Sequence, residues 1–310
     1  MSITGKSHVE HVHGKTQTAA SLLRLARPRD WIKNVFVLIP VPFAMAAATA
    51  VGATAVRFDM LPFLVGLLGF CLINSAVYTL NDLFDAEADR LHPRKCRRPI
   101  AAGLVSPATA VVQIAVLLLL GVGLCASTGH LQAVTLVLAY FALNVSYSMG
   151  AKHVAVLDVF LLSSGFVIRV LLGCALVGAI ASAWLLLCTS SLALFLGFVK
   201  RRADLTAGLD PNHRPSLRGY TQAFLDQAIT ICAGVALLAY ALYTMDSEVL
   251  RAGREMASMP FVAFGILNYL RLANVENEGG SPVDVALNSR SSQVCALGWI
   301  VAVIWSLGIW

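Results

Sequence analysis

The sequence predicts an all-α membrane protein with nine transmembrane helices. Three observations lead to this fold class: the composition, the length of the apolar runs, and the uneven distribution of basic residues between loops. The chain has 310 residues, of which 58% are hydrophobic and 13% charged, and its mean hydropathy is +0.75. Soluble domains carry about 25% charged residues. The composition therefore excludes an ordinary cytosolic enzyme, a disordered chain and a fibrous protein.

Nine stretches are apolar and long enough, or nearly so, to cross a membrane as helices. A hydrocarbon core requires roughly 20 apolar residues per helix. The stretches begin near Asn34, Leu61, Pro107, Leu131, Val154, Ala181, Ala223, Met256 and Val294. The eighth is the weakest, because Asn268 and Arg271 interrupt its end. Residues 1–21 lack the apolar run of a signal peptide and are expected to form a flexible cytosolic arm, which leaves 22–310 as one transmembrane domain.

The basic residues indicate the orientation of these helices. Most of the 23 Lys and Arg residues fall in the N-terminal arm and in alternate loops, all on one side. The other side receives only Arg57, Arg251 and Arg254. By the positive-inside rule, the N-terminus is cytoplasmic and the C-terminus is outside. The net charge of +6 is thus explained mainly by topology. Arg169 lies within a predicted helix, where a charge is costly and has either a functional or a structural role.

An acidic cluster follows the second predicted helix. Asn81, Asp82, Asp85 and Asp89 fall on one helical face. Like charges at this spacing repel one another unless a cation lies between them, and oxygen ligands at a membrane surface suit Mg²⁺ that is completed by substrate phosphates. The alternative is a solvated acidic helix end, neutralised by neighbouring arginines. We expect a magnesium site, because unpaired carboxylates are costly at the end of a membrane span.

A basic segment comes directly after the acidic cluster. Residues 90–98 contain five cations, and Pro93 and Pro99 restrict the shape of this stretch. Guanidinium groups bind phosphate oxygens as bidentate forks, which makes Arg94 and Arg98 candidate diphosphate ligands. The alternative is a cytoplasmic loop whose charges serve topology alone.

Together these two segments resemble the first Asp-rich motif of the UbiA superfamily of intramembrane prenyltransferases. The matching residues are Asn81-Asp82-x-x-Asp85-x-x-x-Asp89, then His92-Pro93 and Arg98-Pro99-Ile100-x-x-Gly103. The resemblance covers the chain from about Leu22 onward. It implies nine helices around a central cavity open to the cytoplasmic face, with Mg²⁺ as the cofactor. In most members, Mg²⁺ holds a prenyl diphosphate between two acidic clusters.

The loop after the sixth predicted helix departs from the second acidic motif of that superfamily, D-x-x-x-D. Its carboxylates, Asp204 and Asp210, are six residues apart. The loop also carries five cations: Lys200, Arg201, Arg202, Arg214 and Arg218. Such a loop fits phosphate groups better than a second carboxylate-bound metal.

This loop and a segment before the first helix are similar to one branch of the superfamily. Members of that branch transfer 5-phosphoribose from 5-phosphoribosyl 1-diphosphate to a polyprenyl (decaprenyl) phosphate. The similar segments are Arg27-Pro28-Arg29-Asp30-Trp31-Ile32-Lys33-Asn34, Lys200-Arg201-x-Ala203-Asp204-Leu205 and Arg214-Pro215-Ser216-Leu217-Arg218-Gly219-Tyr220. Asp204 replaces the Glu of the branch. The resemblance implies a membrane-embedded phosphoribosyltransferase that makes a cell-wall precursor in a bacterial-type inner membrane.

The resemblance also implies roles for individual residues. Asp82, Asp85 and Lys200 are candidate catalytic residues, and the expected metal ligands are Asn81, Asp82, Asp85 and Asp89. The expected ligands of the diphosphate and phosphoribose are Lys33, Arg94, Arg98, Tyr147, Lys152, Lys200, Arg201, Asp204, Arg214 and Arg218. Arg29 and Arg218 would bind the lipid phosphate. For Tyr147 and Lys152, which match the Tyr-x-x-x-x-Lys element of the family, the alternatives are an aromatic membrane anchor and a topology charge.

Two other functions are open on sequence grounds. One is an aromatic prenyltransferase of the same superfamily with a polyprenyl diphosphate donor, against which the missing second acidic motif argues. The other is a transporter of phosphate or cations, which would need inverted repeats and ionisable residues near the membrane midplane. No nucleic-acid partner is expected, and a homo-oligomer is compatible with the sequence.

Overall fold

The structure is a computed structural model that describes residues 19–50 (47–50 for the backbone only), 59–93, 95–208, 215–275 and 288–308. Within these ranges all regular secondary structure is helical, which confirms the predicted all-α class. Arg94, Arg214 and residues 1–18 of the expected N-terminal arm lie outside the described residues.

The described part of the chain begins with a helical segment, 19–26, and a 3₁₀ helix, Pro28–Leu38. The α-helices that follow are α1 (Pro40–Ala50), α2 (Met60–Phe84), α3 (Ala86–Arg90), α4 (Pro107–Ser127), α5 (Leu131–Ser148), α6 (Leu157–Val177), α7 (Ala183–Thr206), α8 (Gln222–Met245), α9 (Met259–Val275) and α10 (Arg290–Leu307). Short 3₁₀ helices lie at Lys95–Arg97, Ala151–His153 and Pro215–Gly219.

Seven helices in the described ranges are long and apolar enough to cross a membrane: α2, α4, α5, α6, α7, α8 and α10. Two predicted spans differ. The stretch expected from Asn34 is a 3₁₀ helix followed by α1 of 11 residues, because Pro40 lacks the N–H that a continuous helix needs. The stretch expected from Met256 forms α9, which has 17 residues. The count of nine spans therefore stays a prediction.

Local sequence signals start four of the long helices. Ser106, Ser182, Thr221 and Ser289 each precede a helix, and their hydroxyl oxygens accept hydrogen bonds from backbone N–H groups of the first turn, at 3.1, 3.1, 3.2 and 3.4 Å. Such caps satisfy amides that have no partner within the helix. They define where α4, α7, α8 and α10 begin.

Contacts between Cα atoms divide the chain into two compact units. Unit 1 comprises Met1–Val35 and Leu61–Met149, and unit 2 comprises Phe36–Met60 and Gly150–Trp310. The expectation of one domain over 22–310 stays a prediction, and each unit is described by itself.

In unit 1, α2 and α4 approach closely at two glycines. A Cβ atom on Gly69 would lie 2.8 Å from the carbonyl oxygen of Gly121, and one on Gly121 would lie 2.7 Å from the carbonyl oxygen of Gly69. Small residues allow this kind of close helix packing in membranes. The contact fixes α2, which ends at the acidic cluster, against α4.

We expect Gly121→Ala to destabilise the detergent-extracted protein by about 1–3 kcal/mol, because the added methyl group would meet the Gly69 carbonyl oxygen and the side chain of Ile73. Gly123→Ala is the matched control, since Gly123 lies on the same helix and a Cβ atom there would meet nothing within 4 Å. Alanine is also the better helix former. Thermal unfolding measures both variants, and equal melting temperatures would contradict the prediction.

In unit 2, an extended apolar core of described residues lies between α6, α7, α8 and α9. It includes Phe195 and Leu225, and the ring of Tyr269 packs edge-on against Phe195 with centroids 5.8 Å apart. The same core includes Leu217 and Tyr220, so it anchors the segment that precedes α8.

The intramembrane charge Arg169 is buried on α6. Its guanidinium donates to the carbonyl of Gly165 at 2.9 Å and lies 5.2 Å from the centroid of the Phe166 ring. These contacts to its own helix lower the cost of burying the charge.

Two arginines in the loop between α8 and α9 bind the end of α10. Arg251 donates to the carbonyl oxygen of Gly308 at 3.1 Å, and Arg254 donates to that of Trp305 at 3.1 Å. Arg254 also lies over the Trp305 ring, 4.5 Å from its centroid. Cations commonly satisfy the last carbonyls of a helix. Arg251 and Arg254, which the charge distribution assigns to the external side, thus cap the end of α10.

Candidate active site

The acidic cluster lies in unit 1, where α2 ends and α3 begins. α2 ends at Phe84, and Asp85 occupies the break before α3. Hydrogen bonds from the Asp85 amide to the Asn81 carbonyl, at 3.0 Å, and from the Asp89 amide to the Asp85 carbonyl, at 2.8 Å, cross this break. The four residues therefore keep helical spacing through a change of helix.

Asp82 is almost completely buried and faces two guanidinium groups. Arg27 donates to its Oδ1 at 2.5 Å, and Arg98 lies 3.1 Å from the same oxygen. The other oxygen, Oδ2, is buried and has no hydrogen-bond partner among the described residues. A buried carboxylate oxygen without a partner is costly. This atom is therefore the point of the cluster where a cation fits.

Arg98 connects Asp82 with Asp89. The nitrogen that lies beside Asp82 also donates to Oδ2 of Asp89 at 2.6 Å. Lys95 is 3.9 Å from the other oxygen of Asp89. Both oxygens of Asp89 thus already lie beside cations, which leaves Asp82 the better metal ligand of the two.

Asn81 and Asp85 supply further oxygen atoms that could ligate a metal ion. The Asn81 amide oxygen accepts a hydrogen bond from the hydroxyl of Ser148 at the end of α5, and Asp85 is half-buried. In the part of the chain that the structure describes, no three His, Cys, Asp or Glu side chains form a complete metal site. The donors around Asp82 fit a hard cation that keeps part of its coordination shell for substrate oxygens.

Arg27 is a residue of this cluster that the sequence reasoning did not select. It follows the helical segment 19–26 with φ +49°, a left-handed conformation that non-glycine residues rarely adopt. Burial lowers the pKa of Arg27, but ion pairing with Asp82 outweighs burial and raises the pKa above its ordinary value. The sequence feature that could have indicated Arg27 is the Arg27-Pro28 pair at the start of the similar segment 27–34.

Lys33 shares an aromatic neighbour with Arg27. Its Nζ donates to Asp30 at 2.7 Å and to the hydroxyl of Tyr78 at 3.2 Å. The centroid of the Tyr78 ring lies 5.3 Å from the Arg27 guanidinium and 5.5 Å from Lys33 Nζ. Burial lowers the pKa of Lys33, whereas Tyr78 and Asp30 raise it, with a net increase. The ammonium group of Lys33 therefore stays charged at neutral pH. Arg29, another candidate in the same segment, is exposed.

A second polar cluster lies in unit 2 around Asp158, at the start of α6. The Asp158 cluster comprises Asp158, Arg201, Asp204, Ser216 and Tyr220. Asp158 is fully buried and accepts a hydrogen bond from Arg201 Nε at 2.6 Å. The hydroxyls of Ser216 and Tyr220 donate to it at 3.0 and 2.7 Å. Arg201 pairs with Asp204 as well, at 3.3 Å.

The structure distinguishes between the candidate phosphate ligands of unit 2. Lys200 and Arg218 are exposed, and Lys152 is half-buried. Arg201 is fully buried, with Nε and Nη1 paired with acids and Nη2 without a hydrogen-bond partner among the described residues. Asp204 is occupied by the same ion pair. The remaining candidate, Tyr147, is half-buried in unit 1.

Comparisons with known proteins identify the family. The model of the UbiA prenyltransferase family matches residues 37–271. The chain belongs to the UbiA prenyltransferase family. A UbiA homolog from Archaeoglobus fulgidus, solved bound to GPP and Mg²⁺, superposes with a TM-score of 0.68 at 19% identity. The superposition covers 93% of this chain and 99% of that one, and confirms a UbiA-like fold.

Two bacterial relatives of this UbiA family member share the name decaprenyl-phosphate phosphoribosyltransferase. The Corynebacterium glutamicum protein is 34% identical over 301 residues, covering 94% of this chain and 88% of the relative. The Mycobacterium tuberculosis H37Rv protein is 35% identical over 297 residues, covering 92% and 93%. The predicted resemblance is thus confirmed. The chain is an integral membrane enzyme, a transferase of the UbiA superfamily.

Proposed function

We propose that this UbiA family member transfers 5-phosphoribose from 5-phosphoribosyl 1-diphosphate to a polyprenyl phosphate such as decaprenyl phosphate. The observation that carries the proposal is the similarity, over more than nine-tenths of the chain, to relatives named decaprenyl-phosphate phosphoribosyltransferase. The cations at the end of α7 and in the segment before α8 support it, because they fit additional phosphate groups.

The reaction is a substitution at the anomeric carbon of ribose. An oxygen of the lipid phosphate forms a bond to C1, and the bond from C1 to the diphosphate oxygen breaks. The diphosphate leaves with the bonding electron pair. Because the acceptor is already an anion, no general base is needed, and positioning and electrostatic stabilisation account for most of the rate.

The acidic cluster of unit 1 is the proposed magnesium site. Asp82, Asp85 and the amide oxygen of Asn81 would hold Mg²⁺, which neutralises the charge of the departing diphosphate. The partnerless Oδ2 of Asp82 supports this assignment. Arg98, together with Lys33, would bind diphosphate oxygens.

Three cations of unit 2 are proposed to bind phosphate groups of the substrates. Lys200 and Lys152 would contact the phosphoribosyl donor, and Arg218 the lipid phosphate. Arg29 of unit 1 is proposed for the lipid phosphate as well. Arg94 and Arg214 keep their predicted phosphate-binding roles, although they lie outside the described residues.

The membrane arrangement proposed for the enzyme follows from the charge distribution. Nine spans, a cytoplasmic N-terminus and an external C-terminus place the acidic cluster and the basic loops at the cytoplasmic face. The substrate cavity would open to that face.

A second candidate function is prenyl transfer to an aromatic acceptor. The protoheme IX farnesyltransferase 1 of Paramagnetospirillum magneticum is 30% identical over 169 residues, covering 54% of this chain and 59% of the relative. The Asp158 cluster argues against this function, because Arg201 neutralises the acids that could hold a second metal.

Transfer of a labelled sugar tests the proposal. Purified protein with Mg²⁺, polyprenyl phosphate and labelled phosphoribosyl diphosphate is expected to move the label into the organic phase. Omitting the lipid phosphate or chelating Mg²⁺ should prevent the transfer. A parallel reaction contains polyprenyl diphosphate and an aromatic acceptor. Product in that reaction, with no lipid-soluble label in the first, would replace the proposal with the second candidate.

A further inference from the structure

Asp158 connects three segments of unit 2 that are distant in sequence. It lies at the start of α6, directly after the connection 150–156. Its partner Arg201 lies near the end of α7, and its partners Ser216 and Tyr220 lie in the segment before α8. The carboxylate is fully buried, and both oxygens are used. The buried Asp158 side chain thus holds together the start of α6, the end of α7 and the segment before α8.

Tyr220 links this carboxylate to a strained backbone position. Its hydroxyl donates to Asp158 and also accepts the backbone N–H of Val156 at 2.6 Å. Val156 has φ +68°, which is rare and costly for a β-branched residue. Burial, together with the hydrogen bond to Asp158, raises the pKa of the Tyr220 phenol, so the hydroxyl keeps its proton. The surrounding contacts are needed to hold Val156 in this conformation.

Each of the three segments carries a cation beside its link to Asp158. Lys200 precedes Arg201, Arg218 stands between Ser216 and Tyr220, and Lys152 is four residues before Val156. Lys200 and Arg218 are exposed, and Lys152 is half-buried. The links are buried whereas the cations reach the surface.

We propose that Asp158 is a positioning residue for phosphate binding, which acts through Arg201, Ser216 and Tyr220 to fix Lys152, Lys200 and Arg218. The inference rests on the proposed function, since it assigns the three cations to substrate phosphates. Burying charged groups seldom adds stability compared with apolar packing of similar volume. The Asp158 cluster is therefore better explained by the geometry that it imposes on its three segments.

Tyr220→Phe tests this role with little change in packing. The ring stacks on Phe224, with centroids 5.9 Å apart, and contacts Phe198, and the substitution keeps both contacts. It removes only the hydroxyl that joins Val156 to Asp158. Loss of one such hydrogen bond is worth about 1–1.5 kcal/mol, or roughly tenfold in an equilibrium constant. We expect KM for phosphoribosyl diphosphate to rise about tenfold, with a smaller change in kcat and an unchanged Mg²⁺ requirement.

Tyr240→Phe is the matched control in the same unit. Its hydroxyl bonds to Ser258 at 2.6 Å and accepts from Trp299 Nε1 at 2.9 Å, and it has no hydrogen bond to the three segments. The control should lose similar thermal stability and keep the wild-type KM. Ser216→Ala should raise KM in the same direction as Tyr220→Phe. Equal KM values for Tyr220→Phe and Tyr240→Phe would overturn the proposal.

Hydrogen exchange supplies a readout that does not depend on activity. Tyr220→Phe is expected to speed amide exchange in residues 150–157 and to leave the middle of α8 unchanged. Unchanged exchange in 150–157 would overturn the positioning role. Two outcomes can be separated. If the wild-type protein fails to transfer the labelled sugar, the proposed function is wrong. If Tyr220→Phe still speeds exchange in 150–157, Tyr220 nevertheless fixes this segment.

Discussion

Asp82→Asn is expected to lower the rate of sugar transfer by about 10³-fold while the protein still folds. The substitution keeps the shape of the side chain, and its remaining oxygen can still accept the hydrogen bond from Arg27. It removes the negative charge and replaces the partnerless Oδ2 with an amide NH₂ group, which repels a cation. The rate should fall because the leaving diphosphate loses its neutralising ion.

A second acid in the same segment provides the control. Glu87→Gln removes a carboxylate from α3, but Glu87 is exposed, and we expect near-normal activity. Binding of Mn²⁺, followed by its paramagnetic resonance signal, should weaken in Asp82→Asn and remain in Glu87→Gln. Near-normal transfer by Asp82→Asn would exclude this cluster as the metal site.

Arg98→Gln has the second-largest expected effect, since it acts on both folding and binding. Asp82 and Asp89 are each only 2% exposed, and one nitrogen of Arg98 contacts both. Removing one partner of a buried ion pair costs about 3 kcal/mol. We expect a lower melting temperature together with a KM for phosphoribosyl diphosphate raised by at least tenfold, a change worth ~1.4 kcal/mol.

Two further variants separate these effects. Arg98→Lys keeps the charge but loses the planar fork, so it should recover much of the stability and little of the substrate affinity. Arg97→Gln, at an exposed neighbouring position, should leave both properties unchanged. If Arg98→Lys restored the wild-type KM, charge alone would explain the role of Arg98.

The sequence predicts those features of this enzyme that depend on local patterns. Apolar runs locate the long helices, and helical spacing brings Asp82 and Asp89 onto one face. Local patterns did not show that the stretch from Asn34 is divided at Pro40 into a 3₁₀ helix and an α-helix. A hydropathy pattern counts apolar residues and does not register a missing N–H group.

Contacts between distant residues could not be predicted in the same way. Arg27 and Asp82 are 55 residues apart, and Arg201 and Asp158 are 43 apart. Periodicity relates neighbours on one helix only, so the sequence could not show that Arg27 reaches the acidic cluster. For the same reason, the neighbouring cations Lys200 and Arg201 look alike in the sequence, although the structure leaves Lys200 exposed and buries Arg201.

The two units differ in how their buried acids are neutralised. In unit 2, the buried guanidinium of Arg201 pairs with Asp158 and Asp204. Unit 2 carries its own counter-ion, attached to the chain, so a chelator cannot extract it. In unit 1, by contrast, Oδ2 of Asp82 has no hydrogen-bond partner among the described residues. Under the proposed function, depleting divalent ions should therefore affect the acids at the end of α2 in unit 1 and spare those of the Asp158 cluster in unit 2.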